Sequence, residues 1–598
     1  MATKALLILT FGPVQAFIEE ARRAGDLYAG SQILVELANA AGSVFKNRAT
    51  LIYPDASTRD TPNRLVAQAE DYDQAEVIVQ AAEDALHDRW QMLAGDVFPE
   101  LQKLGVDKDQ WKQQLENYWE VYWAAAPIPA KSADPKKTPY QFAYDQASAL
   151  LEAAKRSRRF APAEEVGPKD SLSGQRAALR PKELWEREQR GTGKVRAQLG
   201  KRQGKMRAYY GSVLLRPTER LDALGAVKRL GEWRTHRFQS TSDVAAADFR
   251  KLALEKTSSA LRDYRDALID AKVVNKPEHD EDWHTDYDGD LLYLETLTPR
   301  HLKDDYGAEV GESQCATLRK KLADVYDTLR EKLRADHKTA HHRPCKYYAI
   351  IALDGDSMGK LVGQHSHSAD KHRAFSATLS QFASEAQGKI ADIWGDVIYN
   401  GGDDVLVFAP LSRALACAQR LAAFFNATVK DGSLSGGIAI VHHTYPLGAA
   451  LRAARQAEKT AKRQVKGKAA VCVSALKRSG EPILARSAWE ALGDNMNALV
   501  TLFQEDQLSS KFAYDLAREV DVVTTLEPAA RQAMLTLWVK RHTSPSHQAE
   551  TSSVPGLLGQ WSVTLDTLLK DDYPQPGLRE VARWALLARF IAQGGGGE

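Results

Sequence analysis

Between residues 346 and 473 the chain alternates short apolar runs with longer amphipathic stretches in a single order. Lys346–Leu353 is an apolar run of strand length, and a helical pattern follows over about Ala369–Trp394. Two more strand-like runs, Val397–Asn400 and Val405–Ala409, flank the four residues Gly401-Gly402-Asp403-Asp404. A helix (Leu411–Lys430), a strand (Leu434–Val441), a helix (Leu447–Val465) and a strand (Ala469–Val473) complete the unit. Short apolar runs bounded by turn residues read as buried strands, and longer stretches with a 3.6-residue period read as helices. The core order βαββαβ is that of a split βαβ, ferredoxin-like sheet.

That topology makes a chemical prediction. In a βαββαβ sheet the first strand lies antiparallel beside the third, so its C-terminal end meets the turn between strands two and three. Here the first strand ends in Asp354-Gly355-Asp356, and the turn is Gly401-Gly402-Asp403-Asp404. Three or four carboxylates therefore converge on one sheet edge, which is costly unless a cation neutralises them. Oxygen-only ligands suit Mg²⁺ or Mn²⁺ rather than Zn²⁺. Two such ions can clamp the attacking and leaving oxygens of a phosphoryl transfer. The glycines let the turn adopt positive φ and let a phosphate approach the backbone. The last helix adds Arg455, Lys459, Lys462, Arg463, Lys466 and Lys468, several at three- and four-residue spacing, a candidate polyphosphate-facing surface. His442-His443 closes a strand and reads as structural.

The 598 residues as a whole are enough for about four domains. Residues 5–10 are an apolar run that reads as a buried strand rather than a signal peptide, and Gly12-Pro13 stops it. A helix is expected from Val14 to about Ala41, a strand at Leu51–Tyr53, and a helical, Trp-rich pattern from Ala67 to Tyr122. Residues 216–340 and the stretch after Leu476 read as helical. The acidic HDEDWHTDYDGD (279–290) lacks the twelfth-position Glu of a calcium-binding loop and reads as a solvated loop. Expected boundaries are 1–215, with a basic insertion, 216–342, 343–476 and 477–598, the second and last of them helical. The N-terminal unit and the 346–473 unit both begin with an apolar strand and then a long helix, the mark of a diverged duplication. The fold class expected is α+β, with two ferredoxin-like units on that duplication and helical regions between and after them.

Lys plus Arg is 80 against 78 Asp plus Glu, so global charge names no partner. Locally it does. Residues 155–207 carry sixteen Lys or Arg against six Asp or Glu. Such a cluster is either a solvated loop or a surface that displaces counterions from nucleic acid, with Trp185, Tyr209 and Tyr210 as candidate stacking residues. Four isolated cysteines form no CxxC pair, and no apolar run approaches the length of a membrane span, so a cytoplasmic protein with no membrane contact is expected.

YNGGDDVLVFAP (399–410) and ALDGDSMGK (352–360) resemble the palm of GGDEF-type nucleotide cyclases and polymerases. A wider set resembles the large Palm subunit of type III CRISPR effector complexes, specifically the Cmr type. That set is FGPVQAFIEEARRAGDLYAGSQIL (11–34), RFQSTSDVAAA (237–247), DGDLLYLETL (288–297), KYYAIIALDGDSMGK (346–360), SGGIAIVHHTYPLGAALRAARQAEKTAK (435–462) and LSSKFAYDLAREV (508–520). The resemblance implies two palms facing each other, a helical domain between them and a C-terminal helical domain. It implies type III-B sister subunits, CRISPR RNA and target RNA as partners. It also implies that the second palm joins ATP into cyclic oligoadenylates when target RNA is captured. Carried onto this chain, Asp354, Asp403 and Asp404 are the metal-binding and catalytic carboxylates, with Mg²⁺ or Mn²⁺. Gly355, Asp356, Gly401, Gly402, Lys462 and Lys468 hold nucleotide, and Asp26 and Ser31 face a second nucleotide.

Two departures carry further expectations. Many relatives have an N-terminal HD nuclease, whose metal site needs a His upstream of its His-Asp pair. The first His here is His87, so no HD nuclease is expected. Asp170 and Ser173 stand where relatives often carry a cysteine pair, so no zinc is expected. A reading from another class is a catalytically silent, nucleotide-binding scaffold that organises CRISPR RNA and sister subunits. A third is a free-standing diguanylate cyclase, against which the long helical additions argue.

Overall fold

The computed structural model of the chain describes residues 3–55, 61–102, 105–116, 118–157, 165–179, 219–231, 239–275, 283–285, 287–334, 342–478, 480–570 and 576–595. Most of the basic stretch 155–207, with Trp185, Tyr209 and Tyr210, lies outside these residues, as does part of the acidic segment 279–290.

The first apolar run is strand β1 (Ala5–Gly12). Helices α1 (Val14–Glu19) and α2 (Ala24–Arg48), strands β2 (Thr50–Tyr53) and β3 (Arg64–Ala69), helices α3 (Ala75–Gly95), α4 (Phe98–Gln102) and α5 (Lys108–Leu115), and strand β4 (Glu120–Pro127) follow. The sheet order is β2-β3-β1-β4, with β1 antiparallel to both neighbours, which is a ferredoxin-like sheet. Helix α6 (Pro139–Arg156), capped by the Thr138 hydroxyl, covers one face through Tyr140, Ala143, Ala147 and Leu151 against Leu6, Ile8 and Ala124. Two expectations are corrected. The helix expected over 14–41 is broken, because the Asp26 carboxylate accepts the backbone N–H groups of Arg22 (3.1 Å) and Arg23 (3.0 Å) and restarts the chain as α2. The 67–122 segment is not helical throughout, because β3 takes its beginning and β4 its end, both paired to β1.

Helices α7 (Ala223–Leu230), α8 (Thr241–Asp270), α9 (Pro299–Tyr306) and α10 (Glu312–Arg334) come next. Ser240 and Asp243 form a capping box that starts α8. Helices α8 and α10 share their own apolar core, from Phe249 to Leu333. Helix α7 packs instead on α2 and α5 of the first palm.

The second sheet is built from β5 (Tyr347–Gly355), β6 (Asp396–Asn400), β7 (Asp404–Pro410), β8 (Leu434–His442), β9 (Ala470–Leu476) and β10 (Ile483–Ala488), in the order β10-β9-β8-β5-β7-β6. Helices α11 (Met358–His365) and α12 (Ala369–Ile390) connect β5 to β6, and α13 (Ala414–Thr428) connects β7 to β8. Helix α14 (Leu447–Gln464) is the crossover between the parallel strands β8 and β9. The core order is the expected βαββαβ. The segment after Leu476, expected to be helical, opens with β10, which extends this sheet past residue 476. Helices α15 (Trp489–Leu492), α16 (Asn495–Gln504), α17 (Lys511–Val523), α18 (Pro528–Arg541), α19 (Val554–Leu568) and α20 (Pro576–Ala592) close the chain.

One face of the second sheet (Ala349, Ile351, Leu353, Val405, Val407) packs on α12, α13 and the C-terminal helices. The other face (Tyr348, Ile350, Leu406, Phe408, Val441) shares a core with Leu7, Phe11, Phe17 and Leu37 of the first palm. The molecule is therefore α+β, with two palm sheets and added helical regions. No helix among the described residues is long and apolar enough to cross a membrane.

Candidate active site

Strand pairing sets the site. Asp354 is the Cα partner of Asp404 in the β5–β7 register. The Gly355 N–H donates to the Asp403 carbonyl (2.9 Å), and the Gly401 N–H to the Asp404 carbonyl (2.9 Å). The two acidic segments thus meet at one sheet edge, as the topology predicts. The turn needs its glycines. Gly402 has φ of +101°, and a Cβ at Gly355 would lie 2.5 Å from Met358 Cγ and 3.0 Å from Asp403 Cβ. The first palm touches this turn, because the Tyr53 hydroxyl donates to the Gly401 carbonyl (3.3 Å).

Helix α14 brings the cations. Lys462 Nζ pairs with Asp354 Oδ2 and lies 3.1 Å from Glu458 Oε1. Arg455 lies between two carboxylates, with Nη1 at 3.6 Å from Asp404 Oδ1 and Nε at 3.3 Å from Glu19 Oε1. Burial and the neighbouring Asp354 and Asp404 carboxylates push the Asp403 carboxyl up to about 7. Burial, opposed by Arg455, leaves Asp404 raised to about 6. Burial also raises Glu458, against the pull of Lys462. For Lys462 burial acts downward, and the Asp354 and Glu458 carboxylates overcome it, so its pKa ends above the ordinary value.

The site fits a hard divalent cation in donor type and in charge. Its acidic side chains offer oxygen only, and Asp354, Asp403, Asp404 and Glu458 face the two cations Lys462 and Arg455, with burial the first cause that raises Asp403 and Asp404. The ligands are not gathered in this arrangement. Among the described residues no group of three or more His, Cys, Asp or Glu side chains is placed to hold a metal, and Lys462 sits on Asp354 while Arg455 leans toward Asp404.

Other residues singled out from the sequence fall elsewhere. Asp356 does not face the cluster. Its buried carboxylate accepts the Ser435 hydroxyl (2.8 Å), the Ser433 hydroxyl (2.8 Å) and the Ala469 N–H (2.9 Å), so it fastens β5 to the β8 and β9 edges. Lys468 Nζ donates to the Ser357 hydroxyl (2.8 Å), immediately after the acidic triplet. Asp26 is fully buried in a bidentate pair with Arg229 (2.6 and 2.7 Å), a structural anchor rather than a nucleotide contact. Ser31 is buried in α2, 4% exposed. His442 and His443 stack on each other (4.6 Å) at the opposite end of β8, His443 also on Tyr293 (4.3 Å), and burial holds both neutral, as the structural reading expects. The sequence reading missed Glu19, Glu458 and Tyr53. Glu458 was visible as the residue four before Lys462 on one helix. Glu19 and Tyr53 reach the site only through the packing of the two palms.

Residues 347–472 match the family model of the Cas10/Cmr2 second palm domain, and residues 6–61 that of the N-terminal region of CRISPR-associated protein Cmr2. The CRISPR system Cmr subunit Cmr2 of Pyrococcus furiosus is 28% identical over 362 residues, a match covering 53% of this chain and 38% of that relative. The chain therefore spans well under half the length of this curated relative. Two solved structures share the fold. Type III-B Cmr-beta in its apo state aligns with a TM-score of 0.63 and 13% identity, over 91% of this chain and 77% of that one. Type III-B Cmr-beta bound to cognate target RNA aligns with a TM-score of 0.63 and 12% identity, over 91% and 79%. The resemblance read from the sequence motifs is borne out: two regions match Cas10/Cmr2 family models in this order, and the chain is similar to Cmr-type large subunits that carry palm domains.

Proposed function

We propose that this chain is the large subunit of a type III-B CRISPR RNA-guided effector complex, and that its second palm is a metal-dependent nucleotidyltransferase switched on by target RNA. Its substrate is ATP and its product a cyclic oligoadenylate. Its partners are the sister Cmr-type subunits, CRISPR RNA and target RNA. The observation that carries this reading is the pairing of Asp354 with Asp404, with Asp403 beside them, in a cluster short of positive charge.

Asp354, Asp403 and Asp404 would hold Mg²⁺ or Mn²⁺, which supplies Lewis acidity and charge neutralisation at the phosphate. The chain's own residues do the rest. The buried glycine turn at 401–402, with Gly402 at φ of +101°, sets Asp403 and Asp404 beside the end of β5, where a triphosphate would meet them. Lys462 leaves Asp354 for the phosphate oxygens, and Lys468, at the exposed edge beside Ser357, meets the leaving pyrophosphate. The 3′-hydroxyl oxygen of one ATP bonds to the α-phosphorus of another, the bond to pyrophosphate breaks, and the hydroxyl proton passes to a carboxylate of the cluster. Catalysis is then mainly positioning and charge stabilisation.

The test is to incubate the assembled complex with labelled ATP, Mg²⁺ and target RNA. Oligoadenylate is expected, and Asp403→Ala with Asp404→Ala should abolish it. No adenylate product from the native complex would overturn the reading. The Lys462–Asp354 pair favours one rival, a silent scaffold in which lysine permanently takes the cation's place. In that case ATP would bind without turnover, and the double substitution would leave binding unchanged.

A further inference from the structure

Helix α1 ends against the second palm, and its last residue, Glu19, reaches Arg455 beside the carboxylate cluster. Its place is fixed from three sides. The buried Lys228 Nζ caps the end of α1 by donating to the Phe17 and Glu20 carbonyls, and Lys228 is 0% exposed. Arg176 pairs with the Glu20 carboxylate. Across the interface, a Cβ at Gly448 would lie 3.2 Å from the Glu19 carbonyl oxygen, so α14 and α1 approach backbone to backbone. From this rigid end the Glu19 carboxylate lies 3.3 Å from Arg455 Nε, an ion pair in which the buried Nε–H makes no hydrogen bond, while Nη1 of the same guanidinium stays 3.6 Å from Asp404. The Arg455 side chain is 11% exposed, so few other partners can hold it.

We propose that Glu19 is a positioning residue for the carboxylate site: it holds Arg455 off Asp404, so that the first palm keeps Asp404 available to a divalent cation bound by the second. This rests on the reading that the cluster holds such a cation. The physical reason is the shape of the guanidinium. Arginine favours two parallel N–H···O bonds to one carboxylate. Shared between Glu19 and Asp404, it makes that arrangement with neither. Freed from Glu19, it closes on Asp404 and competes with the cation for the same oxygens. Any movement of α1 away from α14 has the same effect, so cation binding in the second palm depends on the palms being seated together.

The experiment measures Mn²⁺ binding to the full chain by electron paramagnetic resonance of free Mn²⁺, with Asp403→Ala plus Asp404→Ala as the background. Glu19→Gln should weaken site-specific binding by about ten-fold, the range seen when a residue behind metal ligands is lost. Adding Arg455→Met to Glu19→Gln should restore binding to within about three-fold of the native chain, since a misplaced arginine is then absent. A merely structural role for Glu19 gives no such rescue. Glu19→Asp, which keeps the charge, should bind better than Glu19→Gln, and this arm serves if the double variant does not fold. Native binding with an unchanged Glu19→Gln, or a double variant no better than Glu19→Gln, overturns this inference alone. A native chain that binds no Mn²⁺ above background overturns the nucleotidyltransferase reading, and this inference with it.

Discussion

Two carboxylates of one triplet, Asp354 and Asp356, and the two of the turn behave in unlike ways, and the difference is how each finds positive charge or donors. Asp356 accepts from Ser433, Ser435 and the Ala469 N–H and needs nothing further. Asp403 has no such set, and burial with Asp354 and Asp404 pushes it up to about 7. A carboxyl whose folded pKa is raised binds its proton more tightly in the native state. Its ionisation therefore removes stability as pH climbs from the unfolded value toward the folded one, and the loss is complete above about pH 7. Asp403→Asn should accordingly raise stability in EDTA at pH 8 by roughly 1–2 kcal/mol after solvent screening, with the gain shrinking toward pH 5. Thermal melting at both pH values checks this. A variant that melts lower than the native chain at pH 8, or a gain that does not change with pH, would count against an anion-crowded site.

At the scale of elements, the decisive contact is α14 on β8. A Cβ on Gly437 would lie 2.0 Å from the Ala454 carbonyl oxygen and 2.1 Å from the Glu458 nitrogen, so helix and strand touch backbone to backbone. That approach is what lets Arg455, Glu458 and Lys462 reach a site on the neighbouring strand β5. Gly437→Ala should force α14 outward and cost about 2–3 kcal/mol, as overpacking does. It should appear as a lower urea midpoint at an unchanged slope, and a change of less than about 0.5 kcal/mol would mean that the helix yields freely.

The βαββαβ order and the meeting of the two acidic segments were legible in the sequence, because unbroken apolar strands end sharply at Gly and Asp. Strand β10 was not. It carries a charged residue, Arg486, inside the core, and its partner Glu580 lies 94 positions away (2.8 Å). The break between α1 and α2 was hidden for a similar reason. EARRAG reads as helix, and only Asp26, held by the distant Arg229, takes the N–H groups that would have continued it. Glu19 belongs to the site through tertiary packing alone, which no local pattern announces.

Across the whole molecule the two sheets repeat one topology but not one chemistry. In the second, Asp354 faces Asp404 at the first residue of β7. In the first, the matching positions are Thr10 on β1 and Arg64 at the first residue of β3, so this pair of positions carries no carboxylate. The first palm contributes by contact instead, through Tyr53, through Glu19, and through a core that both sheets share. Phe408 lies in that core, 0% exposed, edge-on to Tyr348 (5.5 Å) and in one cluster with Leu7, Leu9 and Phe11. If the palms form one cooperative unit, Phe408→Ala should cost about 3–5 kcal/mol, as large-to-small changes in a core do. The loss should not stay in the second sheet. Hydrogen exchange should quicken in β1 (Ala5–Gly12) and β5 (Tyr347–Gly355) together. Faster exchange in β5 with β1 untouched would show that the palms open separately. The first palm could then not govern the carboxylate site through the seating of α1 on α14.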